Sequence, residues 1–448
     1  MTSDATVEEF GAGATPLAGS VRWRILIYLG ALTLLLGFAS PAGGLIGLPI
    51  SFFLKNKLHL KAHELALFYL VAAMPVYVSF AFGFARDRFS PFGMKDRGFM
   101  VLFGSISAGL CLIFAFTPPT YGALLAAALM LGASYLFILS AMRGLTSTIG
   151  QQHVMSGQVS AVWNIFDALP GIAAVRAGGV LSEAMEAAGP SAGARMLFLV
   201  AGAMMGLVAL YGLWKPASVF DNVHSERLTG ARPLDDFKRL IRHRPIYPAL
   251  LIGLLWSFTP GFATPFQYFF QNTLHGHDAQ WGQWGAIYLA AYIPAYALYG
   301  VLCRRFALRR LLFWGTVAAL PMMVPLLVIH SVTGALIAAL PIGLMGGVAT
   351  AAYFDLLIRS CPKGLQGTVL MAAVGLTAID VRFGDLLGTT LYDHFGGFTV
   401  CVIAMTITNA LILPALLLVP RALVATADGQ TANNPSPLAG EGVSEADG

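Results

Sequence analysis

Charged residues are scarce in this chain of 448 residues. Only 11% of its side chains are Asp, Glu, Lys or Arg, whereas 57% are hydrophobic and the mean hydropathy is +0.73. A chain with so few charged groups cannot present a mainly polar surface to water, so most of its surface must face lipid. The composition therefore excludes an ordinary water-soluble domain and predicts an all-α polytopic membrane protein.

The sequence also lacks the cysteine pairs and ligand clusters that are typical of disulfide-linked and metal-binding proteins. The cysteines stand singly, with no Cys-x-x-Cys pair, which predicts neither a disulfide framework nor a thiolate metal site. His59, His63, His275 and His277 fall in outer loops, but no acid or cysteine completes a ligand shell around them. We therefore expect no metal ion.

No motif points to an enzyme, an ATP-driven pump or a nucleic-acid binder. The chain lacks the Gly-x-x-x-x-Gly-Lys-Ser/Thr loop that holds nucleotide phosphates, and no nucleophile and base stand at a recognisable spacing. The net charge of +5 comes from basic residues in short loops between apolar runs, where they act as topology signals. We expect no cofactor and no nucleic-acid partner, and we find no cleavable signal peptide.

One long polar stretch, residues 215–245, divides the chain into halves that resemble each other. Pro49, Asn56 and His59 recur as Pro265, Asn272 and His275 at a shift of 216 residues. A second block, which includes Tyr69, Pro75 and Arg86, recurs as Tyr288, Pro294 and Arg305 at a shift of 219. The chain is therefore a tandem duplication.

Apolar runs of membrane-spanning length occur six times on each side of this stretch. They predict twelve transmembrane helices arranged as two parallel six-helix repeats. The predicted segments are a tail at 1–24, a first half at 25–214, a basic linker at 215–245 with a short surface helix, a second half at 246–420, and a disordered tail at 421–448. The first span contains Pro41, Gly43, Gly47 and Pro49 and should be a breakable helix.

The distribution of Lys and Arg predicts the orientation. If both termini lie inside, the inside segments hold 21 of the 27 basic residues and the outside loops hold 4. Such a bias places both termini in the cytoplasm. We therefore expect an integral protein of the inner (plasma) membrane, and we expect it to be a monomer.

A polar motif follows the second span and reads Gly83-Phe-Ala-Arg-Asp87-Arg88-Phe-Ser-Pro-Phe-Gly93-Met-Lys95-Asp96-Arg97. Together with the paired six-span repeats and the basic linker, this motif resembles the major facilitator superfamily of secondary transporters. Phe53-Leu-Lys-Asn-Lys-Leu58, Thr259-Pro-Gly261 and Tyr268-Phe-Phe-Gln-Asn-Thr-Leu274 are similar to stretches of its folate-biopterin branch. The resemblance implies the major facilitator fold and transport by alternating access.

The motif suggests a gate at the cytoplasmic mouth. A carboxylate at Asp87 can pair with a facing arginine or cap a helix N-terminus, and such a contact can hold the two halves together in one state only. The alternative is that the basic residues here serve topology alone. The predicted gate comprises Gly83, Asp87, Arg88, Gly93, Arg97, Arg143 and Asp355.

Charged residues inside the spans are the strongest indication of a function. A charge near the centre of a spanning helix costs at least about 2.5–3.5 kcal/mol, so it is seldom kept without a use. Asp167 is our first choice for a coupling or substrate residue, because we estimate that it lies near the midplane and has no basic partner within four residues. Arg382 and Asp385 can pair along one helix face, and Arg176 can reach Asp380 or Asp385 instead. These pairs serve either transport or a structural lock.

Uncharged polar and aromatic side chains outline a candidate cavity. In the resembled superfamily spans one, four, seven and ten line the path, and tyrosines of span eight form a stripe that suits a planar ligand. Helix packing is the competing interpretation for these residues. The candidate lining residues are Tyr135, Trp163, Asn164, Gln267, Tyr268, Gln271, Tyr288, Tyr292 and Tyr353.

The sequence thus predicts a secondary transporter of a small organic solute, probed most directly at Asp167, whose carboxyl could load and release a proton. A folate or pterin carrier is the narrower hypothesis within this class. A membrane assembly factor that has kept the fold without transporting is the hypothesis from another class. Charged residues deep in spans five and eleven favour transport.

Overall fold

The computed structural model describes residues 17–41, 43–60, 62–221 and 233–430, and helices are the regular secondary structure found in these ranges. The helices fall into two groups separated by the linker. Each group crosses the membrane six times, and the described ranges thus contain the twelve spans that the sequence predicts.

In the first half, spans one and two are each built from more than one helix, and spans three to six are single helices. Their bounds are α1 Gly19–Ala39 and α2 Gly44–Asn56; α3 Ala62–Ala72, α4 Met74–Tyr77 and α5 Ser79–Arg88; α6 Asp96–Ala115; α7 Tyr121–Gln152; α8 Ser156–Ala188; and α9 Pro190–Leu213. Two short helices, α10 Ala217–Phe220 and α11 Pro233–Arg242, belong to the linker.

The second half repeats this order. Its helices are α12 Ile246–Ser257 and α13 Thr264–Tyr268, with a π turn over Phe269–Thr273; α14 Asp278–Leu302; α15 Leu308–Ala319, followed by a 3-10 turn at Val324–Val328; α16 Val332–Ser360; α17 Gln366–His394; and α18 Phe398–Ala410 with α19 Ile412–Ala415. A last short helix, α20 Arg421–Val424, follows span twelve.

The duplication is visible in the backbone. His59 and His275, which are equivalent residues in the two repeats, both have a positive φ, 52° and 57°, a conformation uncommon for residues with a side chain. The first span of each half is also interrupted, at residues 40–43 between α1 and α2 and at residues 258–263 between α12 and α13. Proline and glycine explain both breaks, because Pro41 precedes Gly43 and Pro260 precedes Gly261, whose φ is 136°.

Eight helices in the described ranges are long and apolar enough to cross a membrane by length and composition. The spans outside this group are the second, fifth, seventh and eleventh, which are interrupted or carry charged and polar residues. Two of them, α5 of span two and α17 of span eleven, pack against each other across the two halves, and α8 of span five packs against α14 of span eight. A helix that faces protein or a polar cavity does not need the apolar surface that lipid requires.

Each half has its own apolar core, and the halves meet closely where glycines remove side-chain bulk. Gly83 of α5 contacts the backbone of Gly367 of α17, so a side chain at either position would collide with the other helix. Gly157 of α8 faces Cys303, which follows α14, and a Cβ at Gly157 would lie 2.7 Å from the Cβ of Cys303. We call the side of the membrane that holds these contacts the basic face, since the loops rich in Lys and Arg lie there.

The C-terminal tail differs from its prediction. Residues 421–430 are ordered, and Leu423, Val424, Ala427 and Asp428 are buried. The prediction of disorder from residue 421 is therefore wrong for 421–430, because this segment finds apolar and polar partners at the basic ends of the spans. Residues 431–448 lie outside the described residues, as does most of the N-terminal tail.

Candidate functional site

Asp87 joins the two halves at the basic face. Its carboxylate accepts hydrogen bonds from the backbone N–H of Gly367, at 3.1 Å, and from the backbone N–H and hydroxyl of Thr368, each at 2.7 Å. Asp87 thus caps the N-terminus of α17, where the helix dipole favours a negative charge. The carboxylate is fully buried and also pairs with Arg86 at 2.9 Å. Opening this face requires breaking these charge-assisted bonds.

Arg86 links Asp87 to a second acid. Its Nε lies 2.6 Å from Asp96, which is buried at the start of α6. One guanidinium therefore sits between two carboxylates on the N-terminal side of the interface. Asp96 stands between the basic residues Lys95 and Arg97 of the motif. The structure explains this acid, because it holds Arg86 in place beside Asp87.

The other predicted gate residues have different partners. Arg88 pairs with Asp236 of the linker helix α11 at 3.1 Å, which docks that helix on the motif loop. Arg97 donates to the carbonyls of Gly212 and Leu213 at the end of α9 and so acts within the first half. Gly93 has a φ of 67°, which favours glycine at this turn. Their role in gating stays a prediction.

A second polar cluster lies at the basic end of the α8 and α14 interface. Arg359 of α16 pairs with Asp355 at 2.8 Å and with Asp428 of the C-terminal tail at 3.0 Å. Tyr299 donates to Asp355 at 2.7 Å. Asp428 in turn accepts from the backbone N–H groups of Gly157, at 3.2 Å, and Gln158, at 2.9 Å. Asp355, predicted as a gate residue, therefore belongs to a cluster that spans both halves.

Arg143 and Asp167 face each other deeper in the protein. Arg143 was predicted as a residue of the gate at the cytoplasmic mouth, but it lies within α7, roughly 14 Å from the basic end of that helix. Asp167 lies roughly 16 Å along α8, and its side chain is exposed. The two side chains interact electrostatically.

Aromatic rings surround the guanidinium of Arg143. Its central carbon lies 4.7 Å from the ring centre of Trp163 on α8 and 5.7 Å from that of Phe354 on α16, which are cation–π distances. Its Nε is buried and has no hydrogen-bond partner among the described residues. A buried donor that lacks a hydrogen-bond acceptor costs about 1–3 kcal/mol. The cation is therefore held by rings of both halves while a donor stays available.

The hydroxyls of Tyr135 on α7 and Tyr296 on α14 also lie within electrostatic range of Asp167. Tyr135 donates to the carbonyl of Leu36 at the end of α1 at 3.3 Å. Residues from spans one, four, five, eight and ten thus meet around one acid and one base. Sequence reasoning named Tyr135, Trp163 and Asp167 as separate candidates, and the structure places them together with Arg143.

The predicted ionic residues of span eleven hold the break in span seven instead of pairing with each other. Asp380 accepts from the hydroxyl of Ser257, the last residue of α12, at 2.9 Å. Asp385 accepts from the backbone N–H of Thr264 at 2.9 Å and from its hydroxyl at 2.7 Å, and so caps α13. The predicted Arg382–Asp385 pair is not formed among the described residues, and Asp385 bonds with Thr264 of the neighbouring broken span instead.

Arg382 itself is exposed and forms no ion pair within the described part of the chain. The side chain of Arg176 lies outside the described residues, so its predicted pairing with Asp380 or Asp385 stays a prediction.

The remaining cavity candidates divide into buried and exposed groups. Tyr292 is buried in the core of the second half and its hydroxyl lies 2.7 Å from that of Tyr288, which agrees with helix packing. Asn164 donates to Ser160 within its own helix at 2.8 Å. Gln267, Tyr268 and Gln271 lie on the part of span seven beyond its break, of which Tyr268 is exposed.

An apolar cavity of about 120 Å³ lies between α12, α16 and α17. Its lining includes Gly253, Leu254, Tyr353, Phe354 and Thr377. Tyr353 is the one lining residue that the sequence singled out, and its hydroxyl bonds with Thr316 at 2.7 Å. Phe354 is shared between this cavity and the aromatic surroundings of Arg143.

Three residues of the basic-face cluster were missed by sequence reasoning as functional candidates: Tyr299, Arg359 and Asp428. Tyr299 was noted only as part of the tyrosine stripe, and Arg359 only as a topology signal. The signal for Arg359 is present in the sequence, because Asp355 stands four residues before it on the same helix. No local pattern marks Asp428, which lies in a polar tail.

Comparison with known families identifies the class. Residues 157–379 match the family model of the Major Facilitator Superfamily. The chain belongs to this superfamily of secondary transporters, and it is a multi-pass membrane protein and not an enzyme. The match begins in span five and ends in span eleven, so it covers parts of both halves.

Solved structures share the fold. The transporter FucP in its outward conformation is 14% identical, with a TM-score of 0.67 over 88% of this chain and 98% of that one. A bacterial homologue of the iron transporter ferroportin in an outward-facing state is 14% identical, with a TM-score of 0.62 over 89% and 99%. A human organic anion transporter is 15% identical, with a TM-score of 0.58 over 90% and 100%. Comparison with curated proteins finds no match.

Proposed function

We propose that this chain couples the movement of a small organic anion to a proton, with Arg143 as the receptor for the anion and Asp167 as the proton carrier. The observation that carries the proposal is the guanidinium of Arg143, which lies beside the contacting rings of Trp163 and Phe354 and has a buried Nε without a partner among the described residues. An arginine fork binds carboxylates and phosphates in bidentate fashion. Its planar surroundings favour a solute with a flat or apolar body.

The coupling of anion to proton follows from the electrostatic interaction between Arg143 and Asp167. Desolvation by the surrounding protein disfavours the charged form of Asp167, and in the empty protein the positive charge of Arg143 opposes that effect. A solute anion on Arg143 neutralises that charge, so Asp167 takes up a proton. Solute and proton then cross together, and loss of the proton on the other side lets Asp167 compete with the solute for Arg143. One anion and one proton move in each cycle.

Alternating access follows from the position of the site. Trp163 belongs to the first half and Phe354 to the second, so an anion on Arg143 contacts both halves and responds to their relative movement. The basic face is held shut by Asp87 and the cluster around Arg359. We assign this face to the cytoplasm from the bias of Lys and Arg, and the membrane to the inner membrane. The protein is then closed to the cytoplasm, as expected of an outward-open state.

Two structural neighbours, which share the fold with this chain, support parts of this proposal. FucP is a fucose:proton symporter, and the human neighbour is an organic anion transporter. The folate-biopterin branch receives no support, since the matching family model is that of the whole superfamily. Folate nevertheless remains in the class of solutes, because it joins a planar ring system to carboxylates.

The test is uptake into proteoliposomes with an imposed pH gradient and a panel of aromatic and aliphatic carboxylates, folate and neutral sugars. We expect at least one carboxylate to accumulate when the outside is acidic. Asp167→Asn should lose accumulation driven by the pH gradient and keep solute exchange, and Arg143→Gln should lose both. Asp393→Asn, an exposed acid near the end of α17, serves as the control.

Accumulation of neutral solutes only, or an Asp167→Asn variant that still concentrates its anion, would refute the coupling scheme. If no solute moves or binds in any orientation, the proposal fails and the assembly-factor hypothesis takes its place. Solute binding to Arg143 can also be measured as a ligand-dependent shift of the melting temperature. This readout does not depend on net transport.

A further inference from the structure

The N-termini of α8 and α17 occupy equivalent places in the two repeats. Helix α8 begins at Ser156 and α17 at Gln366, a shift of 210 residues. Each starts at the basic face, and each packs against a helix of the other half, α14 and α5 respectively. The first N–H groups of both helices need acceptors, because they have no partner inside the helix.

At α17 the acceptor is Asp87, which lies in the last turn of α5 in the other half. The second repeat offers no such acid at the equivalent position. The shift of 219 residues that relates Arg86 to Arg305 puts Phe306 at the place of Asp87. A phenylalanine cannot accept the N–H groups of Gly157 and Gln158, so the second interface needs an acid from elsewhere.

Asp428 of the C-terminal tail supplies that acid. Its Oδ1 accepts from the N–H of Gly157 at 3.2 Å and its Oδ2 from the N–H of Gln158 at 2.9 Å. These bonds repeat those that Asp87 makes to Gly367 and Thr368. The residue is 5% exposed, although it lies in a tail that leaves the last span.

The tail is also fastened to its own half. The backbone N–H of Asp428 donates to the carbonyl of Cys303 at 2.9 Å, and Arg359 donates to the carbonyls of Leu423, at 3.3 Å, and Thr426, at 2.9 Å. Gly429 then donates to the carbonyl of Val154 in the first half at 2.7 Å. The segment thus bridges α16 and the end of α14 in one half to the start of α8 in the other.

We propose that residues 421–430 form a C-terminal latch. Asp428 closes one of the two interfaces between the halves at the basic face, and it must leave the N-terminus of α8 before that face can open. Asp428 is a positioning residue, since it acts on the halves and touches no solute. The latch and Asp87 act in parallel, one on each of the two interfaces between the halves. The proposal extends the transport cycle and does not depend on which solute is carried.

Cys303 provides a native reporter of the latch. Its side chain is buried, and its Sγ lies 3.7 Å from Oδ2 of Asp428. We expect a membrane-impermeant maleimide, applied to the basic face in inside-out vesicles, to label Cys303 at least tenfold faster in Asp428→Ala and in a chain ending at Ala427. A chain ending at Gln430 keeps the latch and should label at the wild-type rate. Cys303→Ser identifies labelling of the other cysteines.

A second measurement separates a gate from a mere cover over Cys303. Nitroxides at Tyr121 and His330 lie on different halves at the opposite face, at the starts of α7 and α16. In a gate, releasing the latch shifts the population toward the state open at the basic face, so the distance between the nitroxides shortens. Asp428→Asn preserves the shape of the residue and should shift the distance in the same direction.

Unchanged labelling of Cys303 in Asp428→Ala and in the chain ending at Ala427 would overturn the proposal. Faster labelling with an unchanged distance between residues 121 and 330 would also overturn it, because the tail would then cover the site without controlling the halves. Both readouts are independent of solute movement. Failure of the anion and proton scheme therefore leaves this test intact, and failure of the latch leaves that scheme intact.

Discussion

Two arginines on the inner helices of this protein have opposite surroundings. Arg359 of α16 is 2% exposed, and its Nε donates to Asp355 and Ser156 while its terminal nitrogens donate to Asp355, Asp428 and two tail carbonyls. Arg143 of α7 rests on aromatic rings, and its Nε has no acceptor among the described residues. The difference separates an arginine that holds protein to protein from one that is kept ready for a ligand.

The physical reason lies in the cost of burying charge. A guanidinium in a spanning region is tolerated when carboxylates and carbonyls replace its lost water, as they do for Arg359. Arg143 has weaker compensation, since a cation–π contact contributes about 0.5–2 kcal/mol and the interaction with Asp167 acts at a distance. An incompletely compensated cation with a free donor is poised to bind an anion.

The largest effect should come from removing the compensated arginine. Arg359→Gln leaves Asp355 and Asp428 buried without their shared cation, and we expect a loss of stability of about 3–5 kcal/mol. Thermal unfolding in detergent measures it. Arg310→Gln, at an exposed position of the same face, should stay within about 0.5 kcal/mol of the wild type. Equal stability of the two variants would remove the distinction between the two arginines.

The opposite result is expected for Arg143. Arg143→Gln removes an incompletely paired cation, so the melting temperature should stay the same or rise. Its affinity for the transported anion should fall at least about 100-fold, because two charge-assisted hydrogen bonds of about 1.5–3 kcal/mol each are lost. Isothermal titration or a ligand-dependent thermal shift measures the change. A strong destabilisation with unchanged affinity would instead make Arg143 structural, like Arg359.

The smallest effect concerns pH and the tail. Burial, and then the neighbouring charge of Asp355, raise the pKa of Asp428 to about 6 in the docked tail, while Arg359 and the N–H groups of Gly157 and Gln158 act in the other direction. Among the nearby titratable and charged groups are also Cys303 and Arg22. A released tail has an ordinary aspartate with a lower pKa, so the docked state binds the proton more tightly.

Docking should therefore strengthen as the pH falls through about 6 and weaken as it rises above that value. A nitroxide at Gln430 reports the fraction of mobile tail, which we expect to be severalfold larger at pH 7.5 than at pH 5.5. In Asp428→Asn the mobile fraction should no longer change over this range. A tail that becomes more mobile on acidification in the wild type would contradict the assignment.

The architecture was accessible from the sequence because its signals are local or periodic. Apolar runs predict the spans, the bias of Lys and Arg predicts an orientation, and the equivalence of His59 and His275 predicts a duplication that appears again in their shared positive φ. Asp87 was also accessible, because an acid within a basic motif needs a partner, and a helix N-terminus was one of the two predicted partners.

The partners of the other charged residues were not accessible in this way. Spacing along α17 predicted a pair between Arg382 and Asp385, but the broken helix beside it offers Asp385 the N–H and hydroxyl of Thr264. A side chain can bond with any suitable group within reach, including groups on other helices. Sequence spacing reports only the groups on its own helix. The same limit hid the partners of Arg143 and Arg359, which lie on other helices or in the tail.

The sequence by itself determined that this protein lies in lipid, and it determined its twelve spans, its internal repeat and the acid that joins α5 to α17. These features could be predicted because hydrophobicity and helical periodicity are patterns of residues that are close together in the chain. Only the tertiary structure decided that Arg143 meets Trp163, Phe354 and Asp167, and that Asp428 caps α8 from the tail. These contacts join residues far apart in the chain. They exist because the packing of two halves brings a few polar groups to places where each has a limited choice of partners.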